Sequence, residues 1–332
     1  MKDSRMTIWV MVVVLAMAVG HGFGWTQYND GGTHDISTTI NDDVWVDYLA
    51  PGMGTTVNVL SGGSIPSPYK IQGFNDGQIN IDGGTVGGEI YTYNNTQLTL
   101  NSGTLSSESF CYNDTQVRIN GGSLDIVWAY DNTQATINGN STGNLVLCDN
   151  SQVTMNAGSF GAITSYENSQ IFMDGGLTHS LSVRGGSSRI TMTGGTANYL
   201  QGFSNTQITM TGGLINADLY LAHDAQADWS GGNIGGDLTL QDRNILTIFG
   251  SNFTIDGNPV GYGNITSILG NDYSLDPSRI LSGTLADSTT INNQFKIGNS
   301  AYINLVYAEP VPEPCTLLLF GLGGLVLRKR RQ

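Results

Sequence analysis

A short segment that ends in a pair of glycines recurs along this 332-residue chain, and its spacing is the strongest constraint on the fold. The segment reads Gln-apolar-Thr-apolar-x-Gly-Gly, as in Gln207–Gly213. Ten copies begin at Gln78, Gln97, Gln116, Gln134, Gln152, Gln170, Arg189, Gln207, Gln226 and Ile245, and a looser copy begins near Thr56. The ten copies follow one another at 18 or 19 residues, which suits one solenoid turn and falls far short of a propeller blade of ~40 residues.

Each repeat contains two stretches in which apolar and polar residues alternate, the pattern of a strand with one buried face. In the first stretch, two apolar columns pass through all ten copies, one from Ile79 to Leu246 and the other from Ile81 to Ile248. A second stretch follows the glycine pair, and a pair such as Asn95–Thr96 closes the repeat.

One repeat cannot bury its apolar side alone. Stacked repeats share backbone hydrogen bonds between parallel strands and build a continuous interior. The sequence therefore predicts an all-β fold, a parallel β-solenoid (β-helix) of about ten coils of 18–19 residues, with β caps at both ends.

The first residues have the pattern of a secretory signal peptide. Lys2 and Arg5 give a basic start, Met6–Val19 is apolar, and small residues follow. The apolar run is shorter than a membrane span of ~20 residues, so we expect cleavage between Ala18 and Trp25. An uncleaved helical anchor is the alternative.

The last 22 residues have three parts in a fixed order. Pro312, Glu313 and Pro314 come first, and the uncharged segment Cys315–Leu327 follows as a short transmembrane segment. A basic cluster comes last: Arg328, Lys329, Arg330 and Arg331. Such a cluster stays on the cytoplasmic side of a membrane.

This order resembles the PEP-CTERM sorting signal of bacterial surface proteins, in which Pro312, Glu313 and Pro314 match the motif. The resemblance implies recognition by an exosortase-type processing enzyme, transient inner-membrane anchoring through the C-terminal segment, and delivery to the cell surface or extracellular matrix. Cys315 stands where small residues are common in the family, so it is a candidate for lipidation. A simple C-terminal anchor is the alternative.

Together these patterns predict five regions. They are a signal peptide (1–24), an N-terminal cap (25–55), the solenoid repeats (56–250), a C-terminal capping β region (251–310) and the sorting signal (311–332). Removing both terminal signals takes away six of the 13 basic residues and two of the 27 acidic ones, which leaves a net charge of −18 instead of −14. A body with so few basic residues argues against nucleic acid as a partner.

Aromatic residues on the second stretch form the most suggestive candidate site. Alternation places two columns on the outer face, densest at Tyr91, Tyr93, Phe110, Tyr112, Trp128 and Tyr130. They could form a platform for the sugar rings of an extracellular polysaccharide or a docking face for a protein. We favour another interpretation, in which they are cross-strand pairs that stiffen the sheet.

Catalytic and metal sites have weaker support. Solenoids host polysaccharide lyases and hydrolases, but we find no convergent set of carboxylates with Lys or Arg, so we predict no catalytic residues and no cofactor. The histidines are scattered, and an Asx column from Asp76 to Asp224 is mostly neutral Asn, so we predict a side-chain ladder there and no metal site. The leading hypothesis is a secreted, surface-sorted structural or adhesive protein that is not an enzyme; a polysaccharide-binding module is the alternative, and a lyase or hydrolase is less favoured.

Overall fold

The computed structural model describes residues 25–49, 53–266, 279–298 and 300–309. The predicted signal peptide and sorting signal lie outside these residues. Within them there is no helix, and therefore none that could cross a membrane. The strands in chain order are β1 (Trp25–Tyr28), β2 (Thr33–Ile36), β3 (Asp43–Val46), β4 (Thr56–Leu60), β5 (Ser64–Ile65), β6 (Ile71–Gly73), β7 (Gln78–Val86), β8 (Ile90–Thr92), β9 (Gln97–Leu105), β10 (Ser109–Cys111), β11 (Gln116–Ile119), β12 (Ser123–Leu124), β13 (Ile126–Ala129), β14 (Gln134–Ile137), β15 (Asn144–Leu147), β16 (Gln152–Met155), β17 (Ser159–Tyr166), β18 (Gln170–Met173), β19 (Leu177–Arg184), β20 (Arg189–Met192), β21 (Thr196–Phe203), β22 (Gln207–Ile215), β23 (Leu219–Ala222), β24 (Gln226–Ile234), β25 (Leu238–Leu240), β26 (Ile245–Ile255), β27 (Asn258–Pro259), β28 (Gly263–Thr266), β29 (Arg279–Leu285), β30 (Thr290–Ile297) and β31 (Tyr302–Tyr307).

Stacked parallel strands confirm the predicted β-solenoid. The repeats align in the predicted register: Gln97 pairs with Gln116, Gln116 with Gln134, and Gln134 with Gln152. The stack makes about 12 turns, two more than predicted. At ~4.8 Å per turn it is a rod about 60 Å long.

Most coils have three sides, where the sequence indicated two. The third side is only two residues wide, as in Ser64–Ile65, which pairs with Thr85–Val86 of the next coil. It was missed because two residues are too few to show alternation. The Gly pair turns the chain into this side, and one glycine of each pair has a positive φ, for example +101° at Gly83 and +87° at Gly213.

The interior is a continuous apolar core. The predicted inward columns are buried, with Ile79, Ile81, Ile137 and Met173 all fully inaccessible to solvent. Trp229 fills the corresponding position near the end of the stack and is 1% exposed. Because every coil contributes to the same core, each coil is stabilised by the coils above and below it.

The closing pair of most repeats satisfies backbone groups at one corner of the rod. The Thr96 hydroxyl donates a hydrogen bond to the carbonyl of Tyr93 (2.7 Å), and Ser169 donates likewise to Tyr166 (2.7 Å). At the corner after the first strand, exposed amides form a ladder, in which Asn120 donates to Asn101 at 2.7 Å. These repeated bonds explain why Thr, Ser and Asn recur there.

The two ends of the rod differ. Residues 25–49 and 53–55, predicted as a cap, contribute strands to the same parallel stack, since β1 pairs with β3 and β2 with β4. At the other end β30 and β31 also stack in parallel, on β25 and β26. The chain between β26 and β30 forms an insertion, whose strand β29 pairs antiparallel with both β26 and β30, while β28 pairs antiparallel with β31. The fold is therefore parallel except at this end.

Shortening one core side chain should weaken the stack. We expect Ile137→Ala to cost about 2–4 kcal/mol, because it removes buried methyl groups and leaves a cavity in a continuous core. Urea unfolding followed by circular dichroism measures the effect. Thr136→Ala, on the outer face of the same strand, is the matched control and should shift stability by no more than ~0.5 kcal/mol. Equal effects of the two substitutions would contradict the assigned faces.

The two cysteines of the described residues should react slowly. Both are free thiols; burial raises the pKa of Cys111 to about 12 and that of Cys148 to about 11. At pH 8 both thiols therefore stay protonated, and the thiolate is the reactive form. With Cys315 replaced by Ser, we expect an aromatic disulfide reagent to label the native protein far more slowly than the urea-denatured one. Rapid native labelling of Cys111 would contradict its burial.

Candidate functional site

The six predicted aromatic residues come together on one outer face of the rod. Tyr91, Phe110 and Trp128 occupy the same register position in three successive coils. Tyr93, Tyr112 and Tyr130 form the neighbouring column, two residues further along each coil. All six side chains are half-buried, so this face is neither sealed nor fully open.

The rings stack along the rod. Tyr93 and Tyr112 have centroids 5.4 Å apart with planes 7° from parallel, and Tyr112 and Tyr130 are 5.0 Å apart at 9°. Tyr91 and Phe110 are 5.2 Å apart at 16°. Two rings lying edge to edge in one plane cannot approach this closely, so the rings are offset-stacked and overlap in part. Each ring therefore stiffens the sheet and still leaves part of a face uncovered.

Four aromatic residues that the sequence analysis missed extend these columns toward the N-terminal end. Trp25 stacks on Trp45 with centroids 4.6 Å apart, and Phe74 lies 5.3 Å from Tyr93. Tyr48 packs edge-on against Trp45. Irregular spacing hid three of them, because Val44 pairs with Ile71, 27 residues later; Phe74 keeps the regular spacing of 19 residues to Tyr93 and could have been found by extending the period. We call these four and the six predicted residues the aromatic band.

One basic residue contacts the aromatic band. The Lys70 ammonium forms an ion pair with Glu89 (2.7 Å) and lies 5.1 Å from the ring centroid of Tyr91, within cation–π range. The Tyr91 hydroxyl donates to the same carboxylate at 2.9 Å. Hydrogen bonds from Lys70 and Tyr91 hold the pKa of Glu89 below its usual range. The ammonium thus sits between a carboxylate and an aromatic face.

Further along the band, carboxylates are the charged neighbours. Burial is the main reason that the pKa values of Tyr112 and Tyr130 are raised, and nearby negative charges add to it. Asp131 acts on Tyr112, while Glu108 and Asp149 act on Tyr130. The band therefore has an acidic border.

Part of the Asx column forms the predicted ladder of side-chain hydrogen bonds. Asn95 donates to Asp76 at 3.2 Å, and Asn132 donates to Asp114 at 3.1 Å. In the adjacent column, the Asp149 carboxylate accepts a hydrogen bond from the backbone N–H of Asp131 at 3.1 Å. Among the residues that the structure describes, no cluster of three or more His, Cys, Asp or Glu side chains could hold a metal ion.

The remaining predicted site residues lie outside the described part of the chain. They are Pro312, Glu313, Pro314, Cys315, Arg328, Lys329, Arg330 and Arg331. Comparison with protein families assigns this segment: residues 310–331 match the model described as the PEP-CTERM protein-sorting motif. No curated protein and no solved structure shows a significant match to the chain. The chain thus carries a C-terminal sorting signal of the kind that exosortase recognises, which marks an exported protein with a C-terminal membrane-anchoring segment.

Proposed function

We propose that this protein is a structural or adhesive component of the cell surface or extracellular matrix, without enzymatic activity. The observation that carries the proposal is a sorting motif joined to a rigid rod. The motif marks the chain as exported and anchors it in the membrane for processing. The rod is the folded part of the protein that is delivered outside the cell.

The construction of the rod supports a mechanical role. Its interior is filled by side chains along its length, and its corners are tied by repeated hydrogen bonds such as that from Asn138 to Asn120 (3.1 Å). Stacked rings stiffen one face. A body with a net charge of −18 after loss of both terminal segments stays soluble and does not collapse onto like copies.

Removal of the sorting signal tests the proposed destination. We expect the full-length protein to be found at the cell surface or in the matrix after fractionation, and a variant that ends at residue 310 to lose that location. The reason is that recognition and membrane anchoring both depend on the deleted segment. Glu313→Ala is a milder companion change that keeps the apolar segment and the basic cluster. A full-length protein found only in the cytoplasm would refute the proposal.

Binding of an extracellular polysaccharide is a second candidate function. It is favoured by the aromatic band, a row of half-buried and exposed rings on one sheet face. Offset stacking leaves part of each ring available to an elongated chain of sugar rings lying along the rod.

Truncation of two rings tests this candidate. We expect Trp128→Ala and Tyr130→Ala each to reduce retention of the protein on isolated matrix glycans severalfold, because each removes contact area from the band. Circular dichroism should show an intact fold, since the inward neighbours Val127 and Ala129 are unchanged. Tyr199→Ala removes an exposed ring outside the band and is the matched control. Undiminished retention in both band variants would exclude a role for the band in binding.

A further inference from the structure

The contact of Lys70 with the aromatic band shows how this face accommodates an ammonium group. The ammonium is held by the Glu89 carboxylate at 2.7 Å and lies over the Tyr91 ring at 5.1 Å. Glu89 and Tyr91 stand two residues apart on one coil, so both point outward. Lys70 reaches them from the preceding coil. The two coils are in register at this point, because the N–H of Ile71 donates to the carbonyl of Glu89.

The next coil repeats half of this arrangement. Glu108 and Phe110 stand two residues apart as Glu89 and Tyr91 do, and Phe110 pairs in register with Tyr91. The position equivalent to Lys70 is now Glu89, whose carboxylate is already used by Lys70 and Tyr91. Among the described residues, no hydrogen bond or ion pair reaches the carboxylate of Glu108.

This site therefore has an acceptor and aromatic rings, and no basic side chain in the described part of the chain pairs with the acceptor. Glu89 and Glu108 occupy adjacent coils at a separation set by the strand spacing of ~4.8 Å, and Lys70 is paired with Glu89 alone. In the following coil, Trp128 pairs in register with Phe110. An ammonium group placed against Glu108 would neutralise its carboxylate and meet the π-system of a neighbouring ring.

We propose that the Glu108 carboxylate, with Phe110 and Trp128, binds an ammonium group of a polysaccharide that carries free amino sugars. The inference rests on the polysaccharide-binding candidate and specifies its ligand class. The two rings lie side by side in the column next to the carboxylate, where they suit a sugar ring that bears the amine. The acidic border of the band and the net charge of the body disfavour polyuronates and sulfated glycans.

Calorimetry with defined oligosaccharides tests the site. The full-length protein, purified in mild detergent at pH 5.5, is titrated with a glucosamine hexasaccharide and with its fully N-acetylated counterpart. We expect tighter binding of the free-amine hexamer, and about a tenfold loss of that affinity in Glu108→Gln, since a charge-assisted contact is lost. Asp228→Asn removes an exposed carboxylate from another face and should bind as the unaltered protein does.

A gain of binding provides the complementary test, which misfolding cannot imitate. Lys70→Met frees Glu89 and Tyr91 and so opens a second copy of the site; we expect it to bind the free-amine hexamer more tightly than the unaltered protein. Equal affinity for the two hexamers, or an unchanged affinity in Glu108→Gln, overturns the proposal. If octalysine binds as tightly as the sugar with the same dependence on Glu108, the partner is a basic polypeptide and the proposal also fails. Loss of glycan retention in Trp128→Ala without any preference for free amines would overturn the amino-sugar site and leave polysaccharide binding intact.

Discussion

Parallel backbone hydrogen bonding between successive coils is the interaction on which this structure depends. It places each coil about 4.8 Å above the last, so residues one repeat apart fall into columns. A column of Ile and Met becomes the core, a column of Asn becomes an amide ladder, and a column of Tyr becomes a stack of rings. A one-residue slip in register would turn every one of these columns to the wrong face. The repeated side chains and the backbone hydrogen bonds therefore stabilise the same register.

Most of the solenoid could be predicted because its period is nearly constant. Aligning the copies on Gln78 and its equivalents was sufficient to assign inward and outward residues and to find the six rings from Tyr91 to Tyr130. The features that were missed share a physical cause. The third side is too short to show a period, and an early loop moves Trp45 out of the repeat.

The candidate site was only partly accessible from sequence. The columns of rings followed from alternation, but their offset stacking depends on side-chain torsions that no pattern encodes. Likewise, the sequence placed Lys70 in an irregular coil, with no indication that its ammonium reaches Glu89 and Tyr91 across the gap between coils. The comparison between that pair and Glu108 with Phe110 becomes visible only when the coils are superimposed.

The last strand also sets how the rod stands on a membrane. β31 ends at Tyr307, and the Pro-Glu-Pro motif begins five residues later at Pro312. The apolar segment begins at Cys315, eight residues after Tyr307, and eight residues span at most ~29 Å when fully extended. While the apolar tail is embedded, the coil that carries the antiparallel insertion is thus held within about 30 Å of the bilayer, and the far end of the rod can reach several nanometres outward. Any enzyme that cuts near the motif must work in this narrow gap between a folded protein and lipid.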